Sequence, residues 1–98
     1  MKYELRQTDS FARWFKRLRD RGVKSRLNAR LAIIENGNLG DFKQLSENLY
    51  EFRMTFGGGI RLYYTVDCGS IVLLLAGGNK DTQSNDIKRA EAILKDLE

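Results

Sequence analysis

From residue 49 to residue 66 the chain reads LYEFRMTFGGGIRLYYTV, with apolar and polar side chains alternating on both sides of a three-glycine turn. A period of two predicts a β-hairpin with one buried face. With Phe56 set opposite Ile60, the register puts Met54 against Leu62, Phe52 against Tyr64 and Tyr50 against Val66, all apolar or aromatic pairs. The opposite face then carries Thr55 beside Arg61, Arg53 beside Tyr63 and Glu51 beside Thr65. The run IVLLLA over 71–76 has no alternation and predicts a central strand covered on both sides.

Elsewhere the period changes. A weakly alternating stretch over 3–6 predicts a short first strand. Asp9 or Ser10 is placed to cap a helix running to about residue 20, with Phe11, Trp14, Phe15 and Leu18 on one stripe. Arg21-Gly22 breaks it, and a second helix over 23–35 aligns Leu27, Leu31 and Ile34 before Asn36-Gly37-Asn38 ends it. Residues 41–45 read as a short strand or extended loop. Gly77-Gly78-Asn79-Lys80 reads as a turn, after which Asp81 or Thr82 caps a closing helix carrying Ile87, Ala90, Leu94 and Leu97. The order β-α-α-β-β-β-α predicts one α+β domain over 1–98: an N-terminal helical hairpin packed on a twisted, mainly antiparallel β-sheet, with a C-terminal helix. With the helices on the oily face, the other face is expected to be open and concave.

Composition narrows the function. Ninety-eight residues, 42% of them hydrophobic, suffice for one modest core. No apolar run approaches the length of a membrane span, the first residues form no apolar leader, and Cys68 stands alone, so a cytoplasmic location is expected. With no histidine and one cysteine, only carboxylates remain to ligate a metal; no metal site and no cofactor is expected. Charge is uneven. Residues 1–37 hold ten Lys/Arg against four Asp/Glu, whereas residues 38–98 hold seven against nine. The basic excess, including Arg17, Arg21 and Lys24, suits a polyanion such as RNA, DNA or a ribosome surface. A merely solvated helical face is the plainer alternative.

The hairpin's polar face is the second cationic feature. Arg53 and Arg61 on adjacent strands repel unless an anion or a carboxylate sits between them. A phosphate satisfies both, and so does neutralisation by Glu51 and a helical carboxylate. Tyr63 on that face is placed to stack a base or meet a phosphate, while Tyr64 is assigned to the core. Lys80 stands at a strand end near a helix N-terminus. Gln83 and Asp86, three apart on the closing helix, flank it and orient it, bind substrate or merely cap. Such a set can cleave RNA through its 2′-hydroxyl: Arg53 and Arg61 stabilise the phosphorane, Lys80 joins them or acts as base, and Asp86 is another base.

The segments LYEFR, GGGIRLYY and LLLAGGNKDTQSNDIKRA resemble the RelE/ParE superfamily of bacterial toxins, particularly its HigB-like "addiction module killer" branch. The resemblance spans nearly the full chain. It implies the toxin of a type II toxin–antitoxin system, partnered by a co-encoded antitoxin of helix-turn-helix type. It further implies a ribosome-dependent, metal-independent mRNA endonuclease that inhibits translation. Carried over by position, Arg53, Arg61, Lys80 and Asp86 are the implied catalytic residues, and Tyr63 and Gln83 the implied substrate contacts. Arg17, Arg21 and Lys24 of the basic hairpin would dock ribosomal RNA. The chain departs from some relatives in lacking a C-terminal tyrosine and a sheet histidine. The ParE branch, which shares the fold but inhibits DNA gyrase by protein binding, is the alternative without an enzyme.

Overall fold

Strands form over Glu4–Gln7 (β1), Phe42–Gln44 (β2), Tyr50–Arg53 (β3), Ile60–Asp67 (β4) and Ile71–Asn79 (β5) in the computed structural model, which describes residues 1–97. Helices span Asp9–Arg17 (α1), Arg21–Glu35 (α2) and Gln83–Leu97 (α3), the last preceded by a 3-10 turn at Lys80–Thr82. The sheet order is β1-β5-β4-β3-β2, with β1 parallel to β5 and the other pairs antiparallel. The expected α+β architecture is therefore the observed one. No helix among the described residues is long and apolar enough to cross a membrane.

Capping chemistry sets the helix ends. Thr8, rather than Asp9 or Ser10, caps α1: its hydroxyl accepts from the Phe11 N–H and donates to the Leu75 carbonyl, tying the helix start to β5. The Asp20 carboxylate accepts from the backbone N–H groups of Gly22 and Val23 at 2.8 and 3.1 Å. One side chain thus satisfies two orphan donors, so α2 starts at Arg21 and α1 stops at Arg17, earlier than the Arg21-Gly22 break implied.

The hairpin register differs from the expected one by two residues. Tyr50 pairs with Tyr64, Glu51 with Tyr63, Phe52 with Leu62 and Arg53 with Arg61. The turn begins at Met54, whose N–H bonds the Ile60 carbonyl, while the Phe56 carbonyl takes the Gly59 and Ile60 N–H groups. Gly57, Gly58 and Gly59 all hold positive φ, which a wide loop here requires. An even shift keeps every side chain on its face, so the sorting into oily and polar faces survives.

Covering the sheet takes helices on both sides, not one. Phe11, Leu27 and Ile34 of α1 and α2 bury Phe52, Leu62, Tyr64, Val72 and Leu74. Ala90 of α3 closes over Leu49, Tyr63, Leu75 and Ala76 on the opposite face. That face was expected open; its central strands carry too much apolar surface to stay so. The side chains of Tyr63 and Tyr64 are both buried, and burial pushes each pKa well above the ordinary value near 10. A raised tyrosine pKa favours the neutral form in the fold. Its stabilisation is full below pH 10 and is lost as pH rises from there towards the folded-state values. Stability should therefore fall above pH 10 by up to about 1.4 kcal/mol per pH unit for each tyrosine, read from urea melts. Tyr63→Phe should flatten the fall, because phenylalanine has no hydroxyl to titrate, and it gives up no hydrogen bond, since the Tyr63 hydroxyl has no partner among the described residues.

Candidate functional site

Two glycines and one asparagine decide where the cations meet. Gly77 and Gly78 were expected in a turn but belong to β5, with a helix-borne side chain over each. A Cβ on Gly77 would lie 2.3 Å from the Trp14 ring, and one on Gly78 would lie 1.8 Å from an Asp86 carboxylate oxygen. Asn79, rather than Asp81 or Thr82, then caps the 3-10 turn, accepting from the Asp81 and Thr82 N–H groups at 2.8 and 3.3 Å. This fixes the backbone on both sides of Lys80. Its aliphatic stem lies against Gly59, where an added Cβ would stand 3.3 Å from the lysine Cδ.

Arg53, Arg61 and Lys80 consequently line one open cavity of about 320 Å³, together with Asp41, Thr55 and Gly59. Arg61 is its inner wall, with a side chain only 14% exposed. Its Nη1 donates to the Met54 and Ile60 carbonyls at 3.3 and 3.1 Å. Its Nε lies 3.3 Å from Glu51, close enough for an ion pair but not aligned as a hydrogen bond. The more exposed Arg53 has its Nε 3.8 Å from Glu51 and 4.0 Å from Asp41. Glu51 is itself 1% exposed and accepts a 2.9 Å hydrogen bond from Gln83 Nε2. One buried carboxylate thus holds two guanidiniums side by side. Lys80 is exposed and without a carboxylate partner among the described residues, so three cations line the cavity against Asp41, with the buried Glu51 behind its wall. Such a hollow suits a single phosphodiester.

A family model described as "Phage derived protein Gp49-like (DUF891)" matches residues 13–98. The chain belongs to this Gp49-like family. An uncharacterized protein of Haemophilus influenzae is 35% identical to it over 97 residues, which is 99% of this chain and 98% of that one. The free E. coli RelE toxin, as a mutant, superposes with a TM-score of 0.67 at 19% identity, covering 91% of this chain and 98% of its own. The E. coli RelBE toxin–antitoxin complex gives 0.62 at 20% identity over 79% and 95% of the two chains. The Mycobacterium tuberculosis RelBE2 toxin–antitoxin complex gives 0.57 at 20% over 82% and 100%. The fold of the Gp49-like chain is that of RelE.

Not every residue singled out in the Gp49-like sequence reaches this cavity. Tyr63 lies wholly under α3, so its ring has no free face for a base. Asp86 is buried over Gly78, bound to the Thr82 hydroxyl and 3.5 Å from Arg89, and does not line the hollow. Gln83 touches it only through Glu51. Arg17 lines a separate cleft beside α1. Arg21 and Lys24 sit on the first turn of α2, where Lys24 bonds the Lys16 carbonyl at 3.3 Å and overlies the Phe15 ring. Asp41 and Thr55 join the cavity without having been singled out as site residues. Thr55 was legible from its alternating position beside Arg61, whereas Asp41 comes from outside the hairpin and nothing local marks it.

Proposed function

We propose that this chain is the toxin of a type II toxin–antitoxin pair, held by a co-encoded antitoxin, and that it cuts mRNA on the ribosome in the cytoplasm. The observation that carries this reading is the convergence of Arg53, Arg61 and Lys80 on one accessible hollow. Its RelE fold supports it, as does the description of two similar structures as toxin–antitoxin complexes. The scissile phosphate sits between Arg61 and Lys80, with Arg53 at the rim. Asp41, the one carboxylate lining the hollow among the described residues, accepts the 2′-hydroxyl proton as that oxygen attacks phosphorus. The cations stabilise the phosphorane, the P–O5′ bond breaks with the 5′-oxygen taking a proton from water, and a 2′,3′-cyclic phosphate remains. Asp86, Gln83 and Tyr63 act from behind the cavity by fixing the strand and turn that present the cations.

Lys80→Ala is the cleanest test, since it removes a cation from an exposed side chain with no ion pair among the described residues. In a translation extract, primer extension should show mRNA cut in the ribosomal A site by wild type. The variant should cut about 100-fold more slowly with an unchanged melting temperature. Equal cutting by both proteins removes Lys80 from the site. DNA-gyrase cleavage complexes without mRNA cuts would instead place the chain with ParE-type inhibitors.

A further inference from the structure

A second cationic cleft lies away from the cavity, where α1 and α3 meet. Ser10, Arg13, Trp14 and Arg17 of α1 and Arg89 of α3 enclose about 280 Å³. The two helices cover opposite faces of the sheet, so they can meet only around an edge. β1 pairs with β5 only as far as Leu74, and the Thr8 side chain takes the next carbonyl, that of Leu75. Beyond it β5 has no strand on that side, and residues of both helices line the cleft. Arg13 and Arg17 stand one turn apart on α1, facing Arg89 across the cleft. Among the described residues neither Arg13 nor Arg17 pairs with a carboxylate, and Arg89 pairs only with Asp86.

We infer that this cleft binds a backbone phosphate of single-stranded RNA, as an anchor separate from the cavity that holds the scissile group. Three guanidiniums around one small hollow repel one another, and a phosphodiester between them removes that repulsion through forked hydrogen bonds. The half-buried Trp14 ring forms one wall and gives an adjacent base a surface to stack on. Anion capture follows from the cleft alone; RNA as the source of the phosphate rests on the proposed function.

The test is fluorescence anisotropy with a labelled 12-nucleotide oligouridylate across a salt series, which reads binding and not cleavage. Wild type should bind, and Arg13→Ala/Arg17→Ala should weaken binding about tenfold. The slope of log affinity against log salt should fall by about 0.7 for each phosphate that is no longer neutralised. Alanine at two exposed helical positions preserves α1. Lys2→Ala/Lys95→Ala removes the same charge from residues lining neither hollow and should stay within about twofold of wild type. No binding by wild type, an equal loss in both double variants, or an unchanged slope overturns the cleft. Failure of the nuclease reading would appear separately, as mRNA left uncut in the extract by a protein that still binds the oligonucleotide through Arg13 and Arg17.

Discussion

Arg61→Ala is expected to abolish growth inhibition and to lower the unfolding free energy by about 2–4 kcal/mol. The two losses have different causes. Growth inhibition goes because the inner wall of the hollow loses its fixed cation. Stability goes because Glu51, 1% exposed, loses the nearer of its two guanidiniums and with it the pairing that its burial requires. Arg53 at 3.8 Å and the Gln83 amide remain as partial compensation, which is why the expected cost stops short of full unfolding. Adding Glu51→Gln to Arg61→Ala should restore most of the stability without restoring growth inhibition, since a neutral amide needs no counter-charge. Urea denaturation of wild type and both variants, beside growth curves at matched expression, separates the effects. An Arg61→Ala protein as stable as wild type would mean that Glu51 does not depend on this pair.

Gly78→Ala should be costlier than its chemistry suggests. One methyl group would stand 1.8 Å from an Asp86 oxygen and 2.9 Å from the Thr82 hydroxyl. Neither neighbour can easily retreat, because Asp86 is buried and held by Thr82 on one side and Arg89 on the other. The first turn of α3 must lift from the sheet, and Lys80 moves with it. We expect a loss of about 3 kcal/mol, or a melting temperature lower by roughly 12 °C or more. Gly58→Ala is the control. Nothing lies within 4 Å of its added Cβ, so only its positive φ of 75° opposes the change and about 1 kcal/mol is lost. Similar melting temperatures for the two variants would show that Asp86 does not press on Gly78.

The site was legible in proportion to how local its determinants are. Arg53 and Arg61 share a face because strand geometry sends alternate side chains to the same side, and the two-residue difference in register leaves that assignment intact, while Thr55 lines the cavity from the turn. Lys80 stands at a strand end near a helix start, as its position in the sequence implies, although the glycines before it continue the strand instead of turning. A glycine pair between apolar residues looks the same whether it bends the chain or makes room for neighbours from other elements. The Trp14 ring and the Asp86 carboxylate, 63 and 8 positions away, are what Gly77 and Gly78 accommodate.

From its residues alone this chain determines its strands and helices, the side of the sheet on which each hairpin residue lies, and the uneven distribution of its charge. Those properties depend on neighbours a few positions apart, through backbone geometry and periodicity. Only the folded arrangement decided that α3 covers Tyr63 and Asp86, that Glu51 lies buried beneath two arginines, and that Asp41 joins the cavity. Each of these depends on which apolar surfaces find one another across the sheet, a contest of burial between distant segments that no local pattern records.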